Sequence, residues 1–478
     1  MRSIRSERIS AGVGAVSTTC NGGLGERWLR AQPDKDVQVR SRRASVLGVG
    51  DPRSCVGRPR VQRVRISADT HQHLEEHRRF DSLFHHTDCS ADSSMSNDRI
   101  CLVDSALLEA FGLHPDILHL NHGAFGVAPV AVRQAAATWR ERAERNPHRF
   151  NRVEVPGLVA AARERAAAFL GIDPSRAAWV RNVSEGVSAV LGSMTLRPGD
   201  ELVISTHGYG AVRKALNHHA ARAGARVVEA AFPVGAEDEA VVSAYAAACS
   251  FRTRLIVVDR ITSPTATVVP VAAVAAAAGA RVLVDAAHAP GQLPDDIAAL
   301  GADHWIGNLH KWAYTPRGSA IMWSRPGANV TPTVLSWQLE DGYAASFDYP
   351  GTWDYAGWLA AADGLAYWVA LGGWDAVGRL AGLATDGQQR VAEALGVTLD
   401  GLPATPAPTM RLIPLPEGTL TSRDQISPLY EALSGQGVEV APVWFDGAGY
   451  LRIAAAPYNT PDDYKRLAVI VRRLLNSK

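Results

Sequence analysis

Two residues of opposite charge each follow a short apolar stretch of the sequence. Asp285 closes the run Val282–Val284, and Lys311 lies near the end of the segment 304–312, which opens with His-Trp-Ile-Gly. A charge at the end of an apolar run is costly to bury unless it has a partner. Because open α/β sheets bind their ligands beyond the carboxyl ends of the strands, the two charges are expected to face one crevice.

These two residue types are what pyridoxal 5′-phosphate chemistry requires. A lysine amine forms a Schiff base with the cofactor aldehyde. An aspartate paired with the pyridine nitrogen keeps that nitrogen protonated, so the ring can draw electrons from the substrate α-carbon. Alone, either residue would more often be a surface charge or a helix cap. Together, in the contexts Asp-Ala-Ala-His at 285–288 and Asn-Leu-His-Lys-Trp at 308–312, they predict a pyridoxal phosphate site.

With these motifs the chain resembles the class V aminotransferase family of fold-type I pyridoxal phosphate enzymes, and within it the isopenicillin N epimerase-like proteins. The resemblance covers roughly residues 104 to 470. It implies an α/β fold, with a large domain built on a mostly parallel sheet flanked by helices and a small C-terminal α+β domain. It also implies an amino-acid substrate and a homodimer with shared active sites.

The resemblance assigns further residues to the cofactor. Tyr209 stands where the family stacks an aromatic ring on the pyridine, and with Lys311 and Asp285 it forms the expected catalytic set. Ser263 lies in the loop expected to contact the ring hydroxyl, where cysteine desulfurases carry Asn. The other predicted cofactor contacts in this part of the chain are His288, Asn308 and His310.

The cofactor phosphate is expected where a strand at 179–180 runs into a helix that begins near Ser184. Free backbone amides and a hydroxyl at a helix start suit an anion, although a plain Ser N-cap would look the same. The resemblance places the phosphate here, which predicts contacts from Ser184 and from the amides of Val183 and Glu185. Thr352, in a Gly-Thr pair, matches the family residue that reaches the phosphate of the neighbouring subunit's cofactor, so it joins the site only in a dimer.

Two other segments resemble the family's substrate contacts. Asn121, His122 and Gly123 match its opening Leu-Asn-His-Gly segment, which lies near the substrate. Arg452 stands inside the apolar strand 450–453, where its charge needs an anion, and a guanidinium binds both oxygens of a carboxylate. The family uses this arginine for the substrate α-carboxylate; a structural salt bridge is the alternative.

The elements that must position these residues can be predicted from alternating patterns. Short apolar strands alternate with helical stretches, as in a parallel sheet with crossover helices. Strands are predicted at 202–205, 226–229, 254–259 and 281–284, with helices at 211–223, 237–249 and 271–278. Further strands at 410–414, 438–443 and 450–454 and a helix from Pro461 predict the C-terminal unit. The expected domains are therefore 95–355, an N-terminal arm with the large cofactor-binding domain, and 356–478, the small domain.

Composition narrows the remaining possibilities. The chain has 478 residues, 47% hydrophobic and 20% charged, with a formal net charge of +1, which gives no case for a nucleic-acid partner. The longest apolar stretch, 268–280, is too short to span a membrane. The five cysteines show no metal-ligand spacing, so no metal and a reducing cytoplasm are expected. Residues 1–94 are Arg-rich without a lasting apolar period, which predicts a disordered or artefactual extension before Met95.

The motifs of the sequence argue against three other functions. A dinucleotide-binding oxidoreductase should carry Gly-x-Gly-x-x-Gly after a strand, and the segment 208–210 lacks the third glycine. A regulator that only binds pyridoxal phosphate would usually add a DNA-binding domain, and residues 1–94 show no convincing recognition helix. A cysteine desulfurase needs a mobile thiolate, and the segment 325–345 contains no cysteine.

Three activities at the substrate α-carbon then remain open. The resemblance ranks an epimerase first, a carbon–sulfur lyase acting on a cysteine conjugate or sulfoxide second, and an aminotransferase third. All three begin with loss of the α-proton. They differ in where the proton returns and in whether a β-substituent leaves, which the sequence does not reveal.

Overall fold

The computed structural model describes residues 106–328 and 330–476. Twelve strands occur in these residues, and they form three sheets of seven, three and two strands. In chain order they are β1 Leu118–His119, β2 Ala177–Val180, β3 Glu201–Ser205, β4 Arg226–Ala230, β5 Thr253–Asp259, β6 Arg281–Asp285, β7 His304–Asn308, β8 Ala320–Ser324, β9 Met410–Pro414, β10 Val438–Glu439, β11 Ala441–Phe445 and β12 Ala448–Ala454.

The seven-stranded sheet has the order β2-β8-β7-β6-β5-β3-β4. The five neighbouring strands β7, β6, β5, β3 and β4 run parallel to one another. Strand β8 is antiparallel to both of its neighbours, β2 and β7. Its central strands read as almost continuous apolar runs because helices cover both faces. Val257 and Leu283 pack in the core on one face, and Val258 and Val284 in the core on the other. The predicted mostly parallel α/β fold is therefore confirmed.

Helices surround this sheet and continue into the C-terminal part. The α-helices are 106–111, His122–Phe125, Val130–Arg145, Pro147–Arg149, Val155–Leu170, Val183–Gly192, Gly210–Ala223, Asp238–Ala248, Val271–Ala278, Tyr343–Ser346, Ala356–Leu359, Ala361–Ala370, Gly373–Leu395, Ile426–Ser434 and Pro461–Asn476. A π-helical turn spans Phe150–Glu154, and 3₁₀ turns span Pro174–Arg176, Ile297–Leu300 and Arg423–Gln425. Among the described residues, no helix is long and apolar enough to cross a membrane.

The C-terminal sheet has the antiparallel order β11-β12-β9, with Arg452 in the middle of its central strand. The helices Gly373–Leu395 and Pro461–Asn476 pack together beside it. Gly387 permits this packing, because a Cβ there would lie 2.5 Å from the ring of Tyr464. The single strand predicted at 438–443 is wrong: the chain forms β10 and then β11, since the two segments pair with different partners.

The short strand β1 connects the start of the described chain to its C-terminal part. Leu118 pairs in parallel with Val438 of β10, and the Ala454 amide donates to the carbonyl of Leu120 at 2.8 Å. Leu118 and Leu120 are buried in the C-terminal core. Asn121 and His122 follow directly, so their segment is held against β10 and β12 of the C-terminal part. The expectation for residues 1–94 lies outside the described residues.

Candidate active site

Polar side chains gather at the carboxyl ends of β5, β6 and β7. Asp259, Asp285 and Asn308 are the last residues of these three strands, and all three are buried. Asp285 accepts a hydrogen bond from the Ala287 amide at 3.0 Å. Burial raises the pKa of Asp285, while that amide and the charge of Lys311 act against the rise. A buried carboxylate that faces a cation at a strand end suits a protonated ring nitrogen.

Lys311 lies in the turn after β7 and is 8% exposed. Its Nζ is 3.3 Å from Nε2 of His288. Burial, followed by the charge of Arg452, lowers the pKa of Lys311 to about 7, although Asp285 acts in the opposite direction. Near neutral pH a large fraction of the amine is therefore unprotonated, and only the unprotonated amine can attack a carbonyl carbon.

His288 lies between the amine and an indole ring. Burial lowers its pKa well below the usual value, so the imidazole is neutral. The Trp312 indole N–H lies 3.5 Å from Nδ1, which must then be the accepting nitrogen. Nε2 consequently carries the proton and points it at the lone pair of the Lys311 amine. Gln292 donates to the carbonyl of His288 at 2.9 Å and fixes the backbone here.

His122 fixes the backbone of the lysine. Its Nε2 lies 2.9 Å from the Lys311 carbonyl, and its Nδ1 lies 3.1 Å from the Tyr458 hydroxyl. Burial lowers the pKa of His122 to about 4, so one nitrogen carries the only proton. Because a carbonyl can only accept, Nε2 is the donor and Nδ1 accepts from Tyr458. Gly126 allows the backbone after His122 to pass close to the backbone of His310, since a Cβ at Gly126 would lie 2.0 Å from the His310 carbonyl oxygen.

Arg452 is a buried cation bound by neutral groups. Its guanidinium donates to Asn121 Oδ1 at 2.9 Å and to the carbonyl and hydroxyl of Ser263. It forms no ion pair with an acidic residue in the described part of the chain. Burial lowers its pKa to about 10, so it remains charged at neutral pH. A buried charge of this kind calls for an anionic ligand.

The predicted phosphate turn is already partly occupied by protein groups. The helix Val183–Gly192 is capped by Asn182, whose Oδ1 accepts from the Glu185 amide at 3.0 Å. The Val183 amide donates to Asn308 Oδ1 at 3.1 Å. The amide and hydroxyl of Ser184 bond to no described residue. Ser184 can thus meet an anion directly, whereas the other two amides would first have to exchange a partner.

Three other predicted site residues are exposed or bond to other parts of the chain. Tyr209 is the N-cap residue of the helix Gly210–Ala223 and is 48% exposed. The His310 Nδ1 lies 3.1 Å from the Ser319 carbonyl. Thr352 is exposed, beside Trp353, whose ring centroid is 5.7 Å from the Arg181 guanidinium carbon. In the single chain Thr352 is therefore not part of the buried cluster.

The sequence interpretation missed several residues of the site. Tyr458 and Gln292 enter through contacts that span the chain, for which no local pattern exists. Asp259 did leave a signal, since it closes an apolar run just as Asp285 does.

Gly123 was predicted to lie near the substrate, and a Cβ there would lie 2.8 Å from the Met410 sulfur and 3.2 Å from the Trp312 ring.

The cluster fits pyridoxal phosphate by its chemistry. Asp285 would hold the ring nitrogen, Lys311 would bind the aldehyde carbon, and the helix start at Ser184 would meet the phosphate. Fold and site together define a fold-type I enzyme that depends on pyridoxal phosphate.

Comparison with known proteins then gives the family. The model of the aminotransferase class-V family matches residues 128–467, and the chain belongs to this family. Isopenicillin N epimerase of Amycolatopsis lactamdurans is 30% identical to this chain, over 77% of this chain and 97% of the relative. Isopenicillin N epimerase of Streptomyces clavuligerus is 29% identical, over 74% of this chain and 94% of the relative. L-cysteine desulfhydrase of Arabidopsis thaliana is 25% identical over 79% of this chain and 92% of its own.

Solved structures share the fold at low sequence identity. A complex of the cystine C–S lyase C-DES with cysteine persulfide superposes with a TM-score of 0.63, at 18% identity, over 74% of this chain and 97% of the other. The cysteine desulfurase CsdA of Escherichia coli superposes with a TM-score of 0.60, at 22% identity, over 78% and 98%. Within the described residues the free thiol is Cys249, which precedes β5 and so lies at the opposite end of that strand from Asp259.

Proposed function

We propose that this enzyme acts at the α-carbon of an amino acid as an isopenicillin N epimerase-like isomerase. The observation that carries the proposal is Arg452, a buried guanidinium without an acidic partner among the described residues, in the same site as Lys311 and Asp285. A substrate α-carboxylate would supply the missing anion. Its amino group would then be directed toward Lys311, and the two epimerase relatives support this reading.

Each residue has a separate task in this proposal. When bound, the cofactor withdraws electrons from the substrate α-carbon and so makes its proton acidic. Asp285 holds the proton on the ring nitrogen. Lys311, unprotonated near neutral pH, accepts the α-proton on one face of the substrate. His122 and Tyr458 keep the lysine backbone in place, and Arg452 fixes the carboxylate so that the α-hydrogen points at the amine.

A carbon–sulfur lyase is the second candidate. The relative from Arabidopsis thaliana is an L-cysteine desulfhydrase. The same residues would remove the α-proton, and the reaction would then continue with loss of the β-sulfur substituent instead of return of the proton.

One experiment separates these activities. The holoenzyme is incubated in deuterated water with panels of amino acids and cysteine sulfoxides. An epimerase introduces α-deuterium and yields the opposite enantiomer without pyruvate. A lyase releases pyruvate, and an aminotransferase yields a keto acid and consumes the aldehyde form of the cofactor. Absence of all three products across both panels would refute the proposal.

Arg452→Lys is expected to weaken productive substrate binding while cofactor binding is kept. The variant retains the charge but loses the planar fork that holds both carboxylate oxygens. We expect kcat/KM to fall more than about tenfold, which corresponds to ~1.4 kcal/mol. The matched control is Arg411→Lys, because Arg411 lies on neighbouring β9 and donates to backbone carbonyls. Wild-type efficiency in Arg452→Lys, or loss of cofactor in place of substrate affinity, would contradict the assignment.

We also propose a homodimer that covers an exposed apolar segment near the phosphate turn. The segment 334–339 exposes four large apolar side chains, Val334, Leu335, Trp337 and Leu339. Thr333 just before it donates to Glu185 at 3.1 Å, which ties the segment to the helix start. A contiguous apolar patch beside a functional site favours a protein partner. A second copy of the chain would bury it and bring Thr352 to the neighbouring phosphate turn.

Replacing Trp337 with serine is expected to shift the protein toward monomers and to weaken retention of the cofactor. The ring is 88% exposed in the single chain, so the change removes interface contacts and not core packing. Phe251→Ser is the matched control, because this ring is 84% exposed in the turn before β5. Sedimentation and dialysis against cofactor-free buffer measure both effects. A wild-type monomer that is active and fully loaded with cofactor would exclude the dimer.

Two broader assignments complete the proposal. The division at residue 355 into a large cofactor-binding domain and a small domain is supported by the separate seven-stranded and three-stranded sheets. A cytoplasmic location is supported by the sparse cysteines of the sequence.

A further inference from the structure

A second acidic residue lies beside the aspartate assigned to the ring nitrogen. Asp259 ends β5 as Asp285 ends β6, and the two are register partners in this parallel pair. Neighbouring strands lie about 4.8 Å apart, and side chains alternate between the faces of a sheet. Val257 and Leu283 share one core cluster, so Asp259 and Asp285, two residues further along, both point to that side. Each is 3% exposed.

The groups that would stabilise a negative charge on Asp259 are its own backbone amide, the Tyr209 amide and the charge of Arg213. The Oδ2 of Asp259 has no hydrogen-bond partner among the described residues. The groups that face it from the surrounding elements are Asp285, the guanidinium of Arg213, the Tyr209 amide and the Tyr245 hydroxyl. Arg213 is engaged elsewhere, since it pairs with Glu229 and donates to the Ser205 carbonyl at 2.8 Å.

Of the two carboxyl groups, that of Asp285 is the one expected to be ionised. It accepts from the Ala287 amide and lies near the charge of Lys311, whereas the two amides and Arg213 beside Asp259 are outweighed by burial and by the charge of Asp285. Two carboxylates at this separation in a buried site would repel each other strongly. Burial and, after it, the charge of Asp285 raise the pKa of Asp259 well above the ordinary value.

We propose that Asp259 is a further positioning residue of the cofactor site, which keeps its proton beside Asp285 so that the ring end of the site holds a single carboxylate. One negative charge then meets the one positive charge of a protonated ring nitrogen. If both residues were ionised, the excess negative charge would have no partner in this part of the site.

Isotope-edited infrared spectroscopy tests the proposal directly, with ¹³C-labelled aspartate in the full chain, both cofactor-free and as holoenzyme. The wild type should show a protonated carboxyl band at pH 7. The band should disappear in Asp259→Asn and persist in Asp295→Asn. Asp295 is the matched control, a buried aspartate with one unpartnered oxygen that is paired with Arg260 at 2.8 Å.

Asp285→Asn gives a second, independent readout. Removing the neighbouring charge should let Asp259 lose its proton at a lower pH, with the band midpoint moving down by about one unit or more. This measurement and the wild-type spectrum remain decisive if Asp259→Asn does not fold. Absence of the band from the wild type at pH 7, or an unchanged midpoint in Asp285→Asn, would overturn the proposal.

Stability should follow the same titration. A carboxyl whose pKa is raised by folding contributes stability at low pH that is lost as the pH rises through the raised value. Asp259→Asn cannot ionise, so the Tm of the cofactor-free variant should gain on that of the wild type between pH 5 and pH 9, by roughly 2 °C or more. A constant difference across this range would contradict a titrating Asp259.

Discussion

Lys311→Ala is expected to abolish both covalent attachment of the cofactor and catalysis. Lys311 is the amine that lies within the buried cluster, 3.3 Å from His288. Its removal eliminates the covalent link and the base that moves the α-proton, and loss of such a residue lowers kcat by on the order of 10⁴-fold or more. Borohydride reduction followed by peptide mapping should label Lys311 in the wild type and nothing in the variant.

The other lysines of the sequence make this mapping unambiguous. They are Lys35, Lys214, Lys465 and Lys478. Lys465→Ala is the matched control, because that amine pairs with Asp462 at 2.6 Å on the surface. Because the pKa of Lys311 is lowered to about 7, the rate at which the cofactor-free protein takes up the aldehyde should rise with pH through about 7 and then level off. A label on another lysine, or a rate that rises only near pH 10, would refute the assignment.

Asp285→Asn is expected to keep the fold and remove most of the activity. Loss of a charge-assisted contact to the ring nitrogen costs on the order of 2–3 kcal/mol, so kcat/KM should fall at least about thirtyfold. The reduced electron withdrawal by an unprotonated ring would add to this loss. Turnover is measured at saturating cofactor, with the absorbance of the bound cofactor as proof of loading.

Asp303→Asn is the control for structural damage. Asp303 lies near the starts of β6 and β7, at the opposite end of these strands from Asp285. It accepts a hydrogen bond from the Val282 amide at 2.8 Å and pairs with Arg325. This change should lower Tm while the activity of the folded fraction stays close to normal. Near-normal turnover of a fully loaded Asp285→Asn variant would contradict the role of Asp285.

The sequence was sufficient to predict the positions of residues that lie in a distinctive local segment. Asp285 and Lys311 each end an apolar run within a recognisable segment, and the structure places both in one buried cluster. The parallel sheet followed from alternating apolar and helical stretches. The boundaries shifted by a few residues because caps and strand pairing decide where an element ends.

The sequence was insufficient where meaning depends on distant partners. Asp259 has the same local pattern as Asp285, but only the register between β5 and β6 brings the two together. The contact between His122 and Tyr458 joins residues from opposite ends of the described chain. The amide of Glu185 was predicted to face the phosphate, but Asn182 caps it, a competition that composition alone does not show.

The pairing of β1 with β10 has a consequence for synthesis on the ribosome. Leu118 leaves the exit tunnel long before Val438, its partner. At about 5–20 residues per second, the early strand waits tens of seconds for its pairing edge. Tyr458, which fixes His122 and through it the Lys311 backbone, emerges later still. A nascent chain can therefore complete its parallel sheet before the surroundings of Lys311 are finished, so the cofactor is captured firmly only after Tyr458 has emerged.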